Sequence, residues 1–321
     1  MRALVASTID AADPVNGLEL REVDEPSPPD GWEIVEVRAA ALNHHDIWTL
    51  KGVGIRPDDL PVILGTDAAG VTADGREVVV HAVLSAPGEF GDETIAPDFH
   101  LLSERGVPGA LAERVAVPSR NLVPKPAGLT WEEAACLPTA YLTAFRMLTT
   151  KAGAKVGERL LVQGVGGGVA TAAILLGVAL GLEVHATGRT PERRADAERI
   201  GAIAHEPGAR LPTPVDIVVE TVGAATWGHS LRALRPGGRL IVSGATTGGD
   251  PPAELARLFW RGLSVLGTSM GTRDELGALL ELLDRTGTRP LIDSVVPMDR
   301  AHEGFERLAS GASFGKVVIT P

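Results

Sequence analysis

Short apolar or alternating runs, separated by polar turn clusters, dominate the first third of the chain. The runs RALVAS, WEIVEVRAA and REVVVHAVL are typical of β-strands, and the cluster EPSPPDG is typical of a turn. This pattern favours a barrel or sandwich of strands over a helical bundle. Residues 85–108 are polar and irregular, so we expect them to form a surface lobe.

From about Trp131 the pattern changes to apolar strands that alternate with helices. EEAACLPTAYLTAFRMLTT has helical spacing, and RLLVQG, VATAAILLGVALG, LEVHATG and PERRADAERIG follow as two strand–helix pairs. Such alternation predicts an α/β protein with a doubly wound parallel sheet. The tail from IDSVVP to GKVVIT returns to the first pattern. We therefore predict a β-rich domain at residues 1–125, completed by residues 288–321, and a parallel-sheet domain at residues 126–287.

Composition and charge narrow the range of partners. The net charge of −11 argues against nucleic acid, because a phosphate backbone needs a basic surface, and the scattered basic residues argue against a membrane partner. The single cysteine, Cys136, excludes an internal disulfide and a zinc site of several thiolates, and it fits a reduced, cytoplasmic setting. Residues 160–182 carry no charge, but glycines interrupt them, so a buried strand, a turn and a helix explain them better than a membrane span.

The stretch VQGVGGGVAT joins a predicted strand to an apolar helix. A strict G-x-G-x-x-G motif that starts at Gly164 would need glycine at position 169, where the chain has Val169. The stretch instead fits the pattern G-x-x-G-x-x-A, in which Gly164 and Gly167 are followed by Ala170 at the position of the last glycine. Small residues at such a turn let a dinucleotide pyrophosphate reach the backbone N–H groups at a helix N-terminus. The alternative is a tight turn without a ligand. We predict a dinucleotide site that includes Gly164, Gly166, Gly167, Gly168 and Val169.

The end of the next strand, HATGRTPERR, indicates which dinucleotide binds. Gly188 stands where NAD sites carry an acidic residue for the ribose 2′-hydroxyl. Arg189, Thr190 and Arg193 follow, and they are suited to a 2′-phosphate through charge-assisted hydrogen bonds. The alternative is that the arginines only flank a solvated helix start. We favour NADP(H) over NAD(H).

Several segments together resemble the medium-chain dehydrogenase/reductase superfamily nearly end to end: ALNHHDIW, LPVILGTDAAG, AACLPTAYLTAFRML, VQGVGGGVATAA, LRPGGRLIVSGAT, SVLGTSMGT and FGKVVI. The resemblance implies a GroES-like β-rich domain and a Rossmann domain. Zinc-dependent members hold catalytic zinc with Cys, His and Cys, and the matching positions here are Asn43, Thr66 and Thr139. Their structural zinc lobe matches residues 85–108, which have no cysteine. The chain therefore resembles the zinc-independent quinone oxidoreductase branch, and no metal is expected.

The resemblance also implies roles for two adjacent histidines. His44 would lie near the cofactor pyrophosphate. His45, beside Asn43, would handle the proton at the substrate oxygen, for which an imidazole with a pKa near neutrality is suited. The alternative is that His45 only lines the pocket and solvent supplies the proton. A metal site on the two histidines is disfavoured, because adjacent residues rarely face one cavity.

Further positions are carried over by the same matching. Thr143 would border the nicotinamide, and Lys316 would approach the pyrophosphate. Residues expected along the cofactor or at its carboxamide are Ser243, Gly244, Ala245, Thr246, Thr268, Ser269 and Met270. Candidate substrate-pocket residues, for which core packing is the alternative, are Trp48, Thr66, Tyr141 and Trp260.

These features lead to a function. Without zinc, alcohol oxidation is poorly supported, whereas hydride from NADPH can reduce a small quinone that is already electron-poor. The first alternative is an alkene reductase acting on enones or enoyl thioesters, and the second is an NADPH-binding regulatory or structural protein with little turnover. A zinc alcohol dehydrogenase comes fourth. The resemblance further implies a homodimer joined through the apolar segments LARLFW and LSVLGTS.

Overall fold

The computed structural model describes residues 1–321 and divides into two compact units, residues 1–142 with 270–321 and residues 143–269. The strands are β1 (Arg2–Ala6), β2 (Leu18–Glu22), β3 (Trp32–Ala41), β4 (Val62–Ile63), β5 (Asp67–Thr72), β6 (Glu77–Val80), β7 (Arg114–Pro118), β8 (Leu122–Pro124), β9 (Arg159–Val162), β10 (Glu183–Thr187), β11 (Ile203–His205), β12 (Val215–Glu220), β13 (Leu234–Val242), β14 (Ser264–Gly267), β15 (Ile292–Pro297) and β16 (Lys316–Thr320).

The α-helices are α1 (His44–Leu50), α2 (Trp131–Ala135), α3 (Leu142–Arg146), α4 (Gly168–Ala179), α5 (Pro191–Arg199), α6 (Ala224–Ala233), α7 (Leu255–Arg261), α8 (Arg273–Thr286) and α9 (Ala301–Ala309). A π-helical turn, Leu137–Tyr141, joins α2 to α3.

The first unit is built mainly on antiparallel strands, and its one parallel pair is β15 with β16. One sheet has the order β15-β16-β3-β5-β6-β8, with β7 also paired to β3, and a small sheet has the order β2-β1-β4. In β3, Val35 and Val37 are buried while Glu36 is exposed, as expected of a strand with one face on the core. Its last residues, 39–41, are all buried. The strand therefore delivers the chain from the core directly to α1.

The second unit is a parallel sheet of six strands with the order β11-β10-β9-β12-β13-β14. Numbered along the unit, this order is 3-2-1-4-5-6, the doubly wound arrangement in which ligands bind where the order reverses. The reversal lies between β9 and β12, and the glycine turn follows β9. The predicted fold class, a β-rich domain with a doubly wound parallel-sheet domain, is confirmed.

The two units differ in extent from the predicted domains. Residues 126–142 and 270–287 fall in the first unit, because α2 packs on β3 and β5 and α8 packs on β8. Helical spacing shows that a segment has an apolar face but not which sheet that face covers. The domain boundaries expected from the sequence, at residues 125 and 288, therefore stay predictions.

Two predicted segments have definite places in the fold. Residues 85–108 are exposed at 86–91, as expected of a surface lobe, and are anchored further on, where Leu102 and Ser103 are buried and the Leu102 N–H donates to the Ala82 carbonyl at 3.1 Å. The uncharged residues 160–182 fold as β9, the glycine turn and α4. No helix of the structure has both the length and the apolar character that crossing a bilayer requires.

Candidate functional site

The start of α1 is held by a buried carboxylate. Asp46 accepts a hydrogen bond from the Asn43 N–H at 2.8 Å through Oδ2, and from the Gly65 N–H at 3.0 Å through Oδ1. Burial raises the pKa of this carboxyl, and the side chain is fully enclosed. Asp46 thus ties α1 to the loop before β5, which is a structural task.

The three positions that match zinc ligands converge in the first unit. The Asn43 Nδ2 donates to Thr66 Oγ1 at 3.1 Å, and Thr66 Oγ1 lies 3.0 Å from Thr139 Oγ1. Zinc prefers thiolate, imidazole and carboxylate ligands. An amide and two hydroxyls that already bond one another do not fit that ion, and no group of three His, Cys, Asp or Glu side chains in the structure suits a metal. We call Asn43, Thr66, Asp67, Thr139 and Lys316 the Asn43 cluster.

Lys316 gives this cluster its positive charge. The side chain is 2% exposed, and its Nζ donates to Leu42 O at 2.7 Å, to Asn43 Oδ1 at 2.6 Å and to Asp67 Oδ2 at 3.1 Å. An ammonium has three N–H donors, so all are used. These partners differ from the expected pyrophosphate contact, which stays a prediction. Sequence reasoning missed this ion pair, because Lys316 and Asp67 meet only when β16 and β5 flank β3.

The adjacent histidines have different surroundings. His44 is exposed, whereas the His45 Nε2 lies 2.9 Å from Glu104 Oε1. Burial disfavours a charged imidazole, but the Glu104 hydrogen bond and the charges of Asp46 and Glu104 outweigh it and raise the pKa of His45. Sequence reasoning missed Glu104, which belongs to the 85–108 segment and lies 59 residues away along the chain.

The aromatic residues proposed for the pocket do not share one environment. Tyr141 is fully buried, and its hydroxyl accepts a hydrogen bond from the Leu291 N–H at 2.7 Å. This environment favours core packing for Tyr141, and its role in a substrate pocket stays a prediction. Trp48 is 38% exposed on α1 in the first unit, and Trp260 is 81% exposed on α7 in the second. Within its unit Trp260 lies on the surface.

The glycine turn has the geometry of an anion site. Gly164 and Gly166 have φ values of 73° and 127°, which glycine adopts far more readily than other residues. The Gly164 N–H donates to Thr187 Oγ1 at 2.9 Å, which fixes the turn against β10. A Cβ at Gly167 would meet nothing within 4 Å, and no side chain caps α4. An open space beside uncapped N–H groups fits the pyrophosphate of a dinucleotide.

The end of β10 carries the residues proposed for the 2′-phosphate. Arg189 is exposed, and Thr190 caps α5 by accepting a hydrogen bond from the Arg193 N–H at 3.3 Å. The Thr190 hydroxyl therefore has a structural use in the protein. Arg194, which sequence reasoning missed, lies over Gly188: its Nη1 donates to the Gly188 carbonyl at 3.0 Å. A Cβ at position 188 would approach Arg194 Cγ to 2.9 Å, so glycine is required there.

The remaining cofactor candidates lie mainly at the carboxyl ends of the parallel strands. Residues 243–246 follow β13, and Thr268 and Ser269 follow β14. Thr268 accepts a hydrogen bond from Arg146 Nε at 3.1 Å. Thr143 is buried in α3. Met270 belongs to the first unit and is buried with a φ of 55°, which sets it apart from the others.

Comparisons with known proteins match both parts of the chain. A family model described as "Alcohol dehydrogenase GroES-like domain" matches residues 29–127, and one described as "Zinc-binding dehydrogenase" matches residues 202–319. The Acryloyl-coenzyme A reductase of Sulfurisphaera tokodaii is 28% identical, over 96% of this chain and 98% of that protein. The Zinc-type alcohol dehydrogenase-like protein YogA of Leptosphaeria maculans is 28% identical over 94% of each. The crystal structure of an NAD-dependent alcohol dehydrogenase is 32% identical, with a TM-score of 0.92 and full coverage of both chains.

Proposed function

The chain belongs to the medium-chain dehydrogenase/reductase superfamily, and we propose that it is a zinc-independent, NADPH-dependent reductase of small electron-poor acceptors, with quinones as the first candidate. The observation that carries this proposal is the Asn43 cluster. Where zinc-dependent members have their ligands, this chain has an amide and two hydroxyls that hydrogen-bond one another.

The chemistry of the reaction explains why this observation matters. Oxidising an alcohol requires an alkoxide, which a zinc ion favours by lowering the pKa of the oxygen bound to it. The cation of the Asn43 cluster, Lys316, already uses its three donors within the protein, so it would not replace the ion in this role. A quinone or enone is already electrophilic, so its reduction depends on a hydride donor held in contact with it and on exclusion of water. The cluster therefore favours reduction of such an acceptor.

The chain's own residues would divide the remaining tasks. A bound nicotinamide supplies the hydride, and the superfamily uses NAD(P)H. The α4 N-terminus and the turn at Gly164 and Gly167 would bind the pyrophosphate through backbone N–H groups. His45 would hold the proton that the reduced acceptor takes up. Asn43, whose amide already bonds Thr66, Asp67 and Lys316, would hold the start of α1, and with it His45, in place.

NADP(H) is proposed over NAD(H) because of the residues after β10. Gly188 places no carboxylate where one would bind a ribose 2′-hydroxyl and repel a 2′-phosphate. Arg189 is exposed, and Arg193 and Arg194 follow on α5. The 32% identical structure is named NAD-dependent, so the preference depends on these local residues alone.

A second acceptor class is favoured by a specific relative. An acryloyl-CoA reductase matches 96% of the chain, and its substrate by name is an α,β-unsaturated thioester. Such a thioester, like a quinone, is an electron-poor acceptor that needs no zinc to take up hydride. Enoyl thioesters and enones are therefore the second candidate acceptors.

A homodimer is also proposed, as is a cytoplasmic site of action. Leu255, Phe259 and Trp260 are exposed on α7, and Val265 is exposed on β14, the edge strand of the parallel sheet. A cluster of large exposed apolar side chains indicates an interaction surface. Sedimentation equilibrium of Trp260→Ser against the wild type tests the dimer, and a monomeric wild type would refute it.

The activity is tested by following NADPH oxidation with 1,4-benzoquinone after dialysis against a chelator, beside identical assays with NADH and with acryloyl-CoA. NADPH-preferring turnover of the quinone supports the proposal. Turnover of the thioester alone selects the second candidate. Tight NADPH binding without any turnover favours a binding protein, and activity that returns only with added zinc contradicts zinc independence.

A further inference from the structure

Both carboxylate oxygens of Glu104 have hydrogen-bond partners. Its Oε1 lies 2.9 Å from His45 Nε2, and its Oε2 accepts a hydrogen bond from the Leu101 N–H at 2.9 Å. Because an ionised carboxylate only accepts hydrogen bonds, the Nε2 of His45 must carry the proton of this contact. The pair thus fixes both the orientation and the tautomer of the imidazole.

The residues on both sides of Glu104 have an unusual backbone conformation. Ser103 and Arg105, on either side of it, have φ values of 70° and 52°, in the left-handed region that non-glycine residues seldom adopt. Such conformations persist only where the surrounding structure holds them. Leu102 and Ser103 are buried, so the segment is anchored directly before Glu104.

The other ring nitrogen of His45, Nδ1, is enclosed and has no hydrogen-bond partner in the protein. With Nε2–H directed at Glu104, the charged imidazole carries its other proton on Nδ1, where no acceptor is available within the protein. A buried donor without an acceptor is costly, and an oxygen of a bound molecule would satisfy it.

Charges around the pair favour the imidazolium. Burial opposes the charge on His45, but the Glu104 hydrogen bond and the Asp46 and Glu104 charges raise its pKa. Burial likewise opposes the Glu104 carboxylate, but its bonds to His45 and to the Leu101 N–H, with the charges of His45 and His100, lower its pKa. Both shifts therefore favour the charged forms of the pair.

We propose that Glu104 is a positioning residue for proton transfer, which holds His45 by Nε2 so that the proton on Nδ1 is the one given to the reduced acceptor. This inference rests on the proposed reductase function. Once the acceptor has gained a hydride, it is an anion. The Nδ1–H bond then breaks, the electron pair stays on the nitrogen, and a bond forms between the proton and the acceptor. His45 is left neutral, still donating to Glu104, and it regains a proton from solvent.

The first test needs neither cofactor nor acceptor. The imidazole of His45 is titrated by NMR in the wild type, with its signal assigned by loss in His45→Gln. Glu104→Gln keeps the size of the side chain but removes its charge, so the His45 titration midpoint should fall to a lower pH. Glu89→Gln, an exposed change in the same 85–108 segment, should leave the midpoint unmoved. An unchanged midpoint in Glu104→Gln overturns the inference.

The second test is the pH profile of kcat with the acceptor that the wild type reduces. Because the imidazolium is the active form, wild-type kcat should fall as pH rises through the pKa of His45. In Glu104→Gln this fall should begin at lower pH. At pH values above both midpoints, kcat should be reduced about tenfold for each unit of midpoint shift, with the KM for NADPH unchanged. Glu104→Asp, which keeps the charge, should recover part of the loss.

The outcomes separate the inference from the function on which it rests. An active Glu104→Gln protein with a shifted NMR midpoint but a wild-type kcat profile overturns the proton-transfer role while leaving the reductase in place. A wild type that turns over no acceptor overturns the reductase function, and the catalytic part of the inference with it. Glu104→Asp keeps the test decisive if Glu104→Gln fails to fold.

Discussion

The glycine turn of the second unit and the Asn43 cluster of the first unit differ in what builds them. The turn is one continuous stretch, and its binding groups are backbone N–H groups at the start of α4. The cluster is made of side chains from the residue before α1, the loop before β5, β5 itself, a π-helical turn and β16. A backbone site should be damaged mainly by added side-chain volume, whereas a side-chain site should be damaged by the loss of any partner.

The largest effect is expected from Lys316→Met. The substitution removes a buried ammonium and leaves the Asp67 carboxylate, which is fully buried, without its charged partner. Breaking one side of a buried ion pair costs about 3–5 kcal/mol. The free energy of unfolding in urea measures the loss. Lys51→Met, at an exposed lysine beside α1, is the control and should change that free energy by less than about 0.5 kcal/mol.

Gly167→Val in the glycine turn should weaken cofactor binding and leave the stability of the protein nearly unchanged. Gly167 has a φ of −70° and open space around it, so the substitution should change the free energy of unfolding little. The new side chain fills the space proposed for the pyrophosphate. Losing a hydrogen bond to a charged group costs about 1.5–3 kcal/mol, which corresponds to a Kd for NADPH raised roughly 10- to 150-fold.

Calorimetric titration with NADPH measures this Kd. Gly277→Ala is the matched control, because that glycine also has open space but lies in α8 of the first unit. It should bind NADPH as the wild type does. Unchanged NADPH binding by Gly167→Val would show that the turn does not bind the cofactor.

The same difference decides how much could be predicted from the sequence. The order of strand, glycine turn and helix is predictable from the sequence, because the three are contiguous and each has a local signature, while the dinucleotide site at the turn stays a prediction. Asn43, Thr66 and Thr139 were found only through family resemblance, which supplied their convergence. Glu104 and the Lys316–Asp67 pair were missed, because a single charged residue has no periodicity and its partner is set by strand order. The buried position of Tyr141 is not predictable either, because an aromatic residue in an apolar helix has the same sequence pattern in a pocket and in a core.

A smaller effect is expected from Arg189→Ala at the end of β10. If the exposed guanidinium binds the 2′-phosphate, its loss removes a charge-assisted hydrogen bond that is open to solvent, and about 1 kcal/mol of binding. The KM for NADPH should rise about fivefold, while the KM for NADH stays unchanged. Arg199→Gln, farther along α5 and paired with Asp196, should alter neither constant. Equal rises for both cofactors would show that Arg189 does not read the 2′-phosphate.

The smallest effect concerns the His45–Glu104 pair, a side-chain contact like those of the Asn43 cluster but partly open to solvent. Because the pKa of His45 is raised, its contribution to stability is complete below its ordinary pKa of 6.5 and is lost as pH rises through the folded value. Because the pKa of Glu104 is lowered, its contribution is complete above 4.5 and is lost as pH falls through the folded value. The pair should therefore stabilise the protein most at pH values between these two.

The expected size is about 1 kcal/mol or less, since solvent screens the pair. Urea unfolding of the wild type and Glu104→Gln at pH 5.5 and pH 9 measures it, with Glu89→Gln as the control. The stability difference between wild type and Glu104→Gln should be larger at pH 5.5. An equal difference at both pH values would mean that Glu104 supports the 85–108 segment through its bond to the Leu101 N–H rather than through the charge of His45.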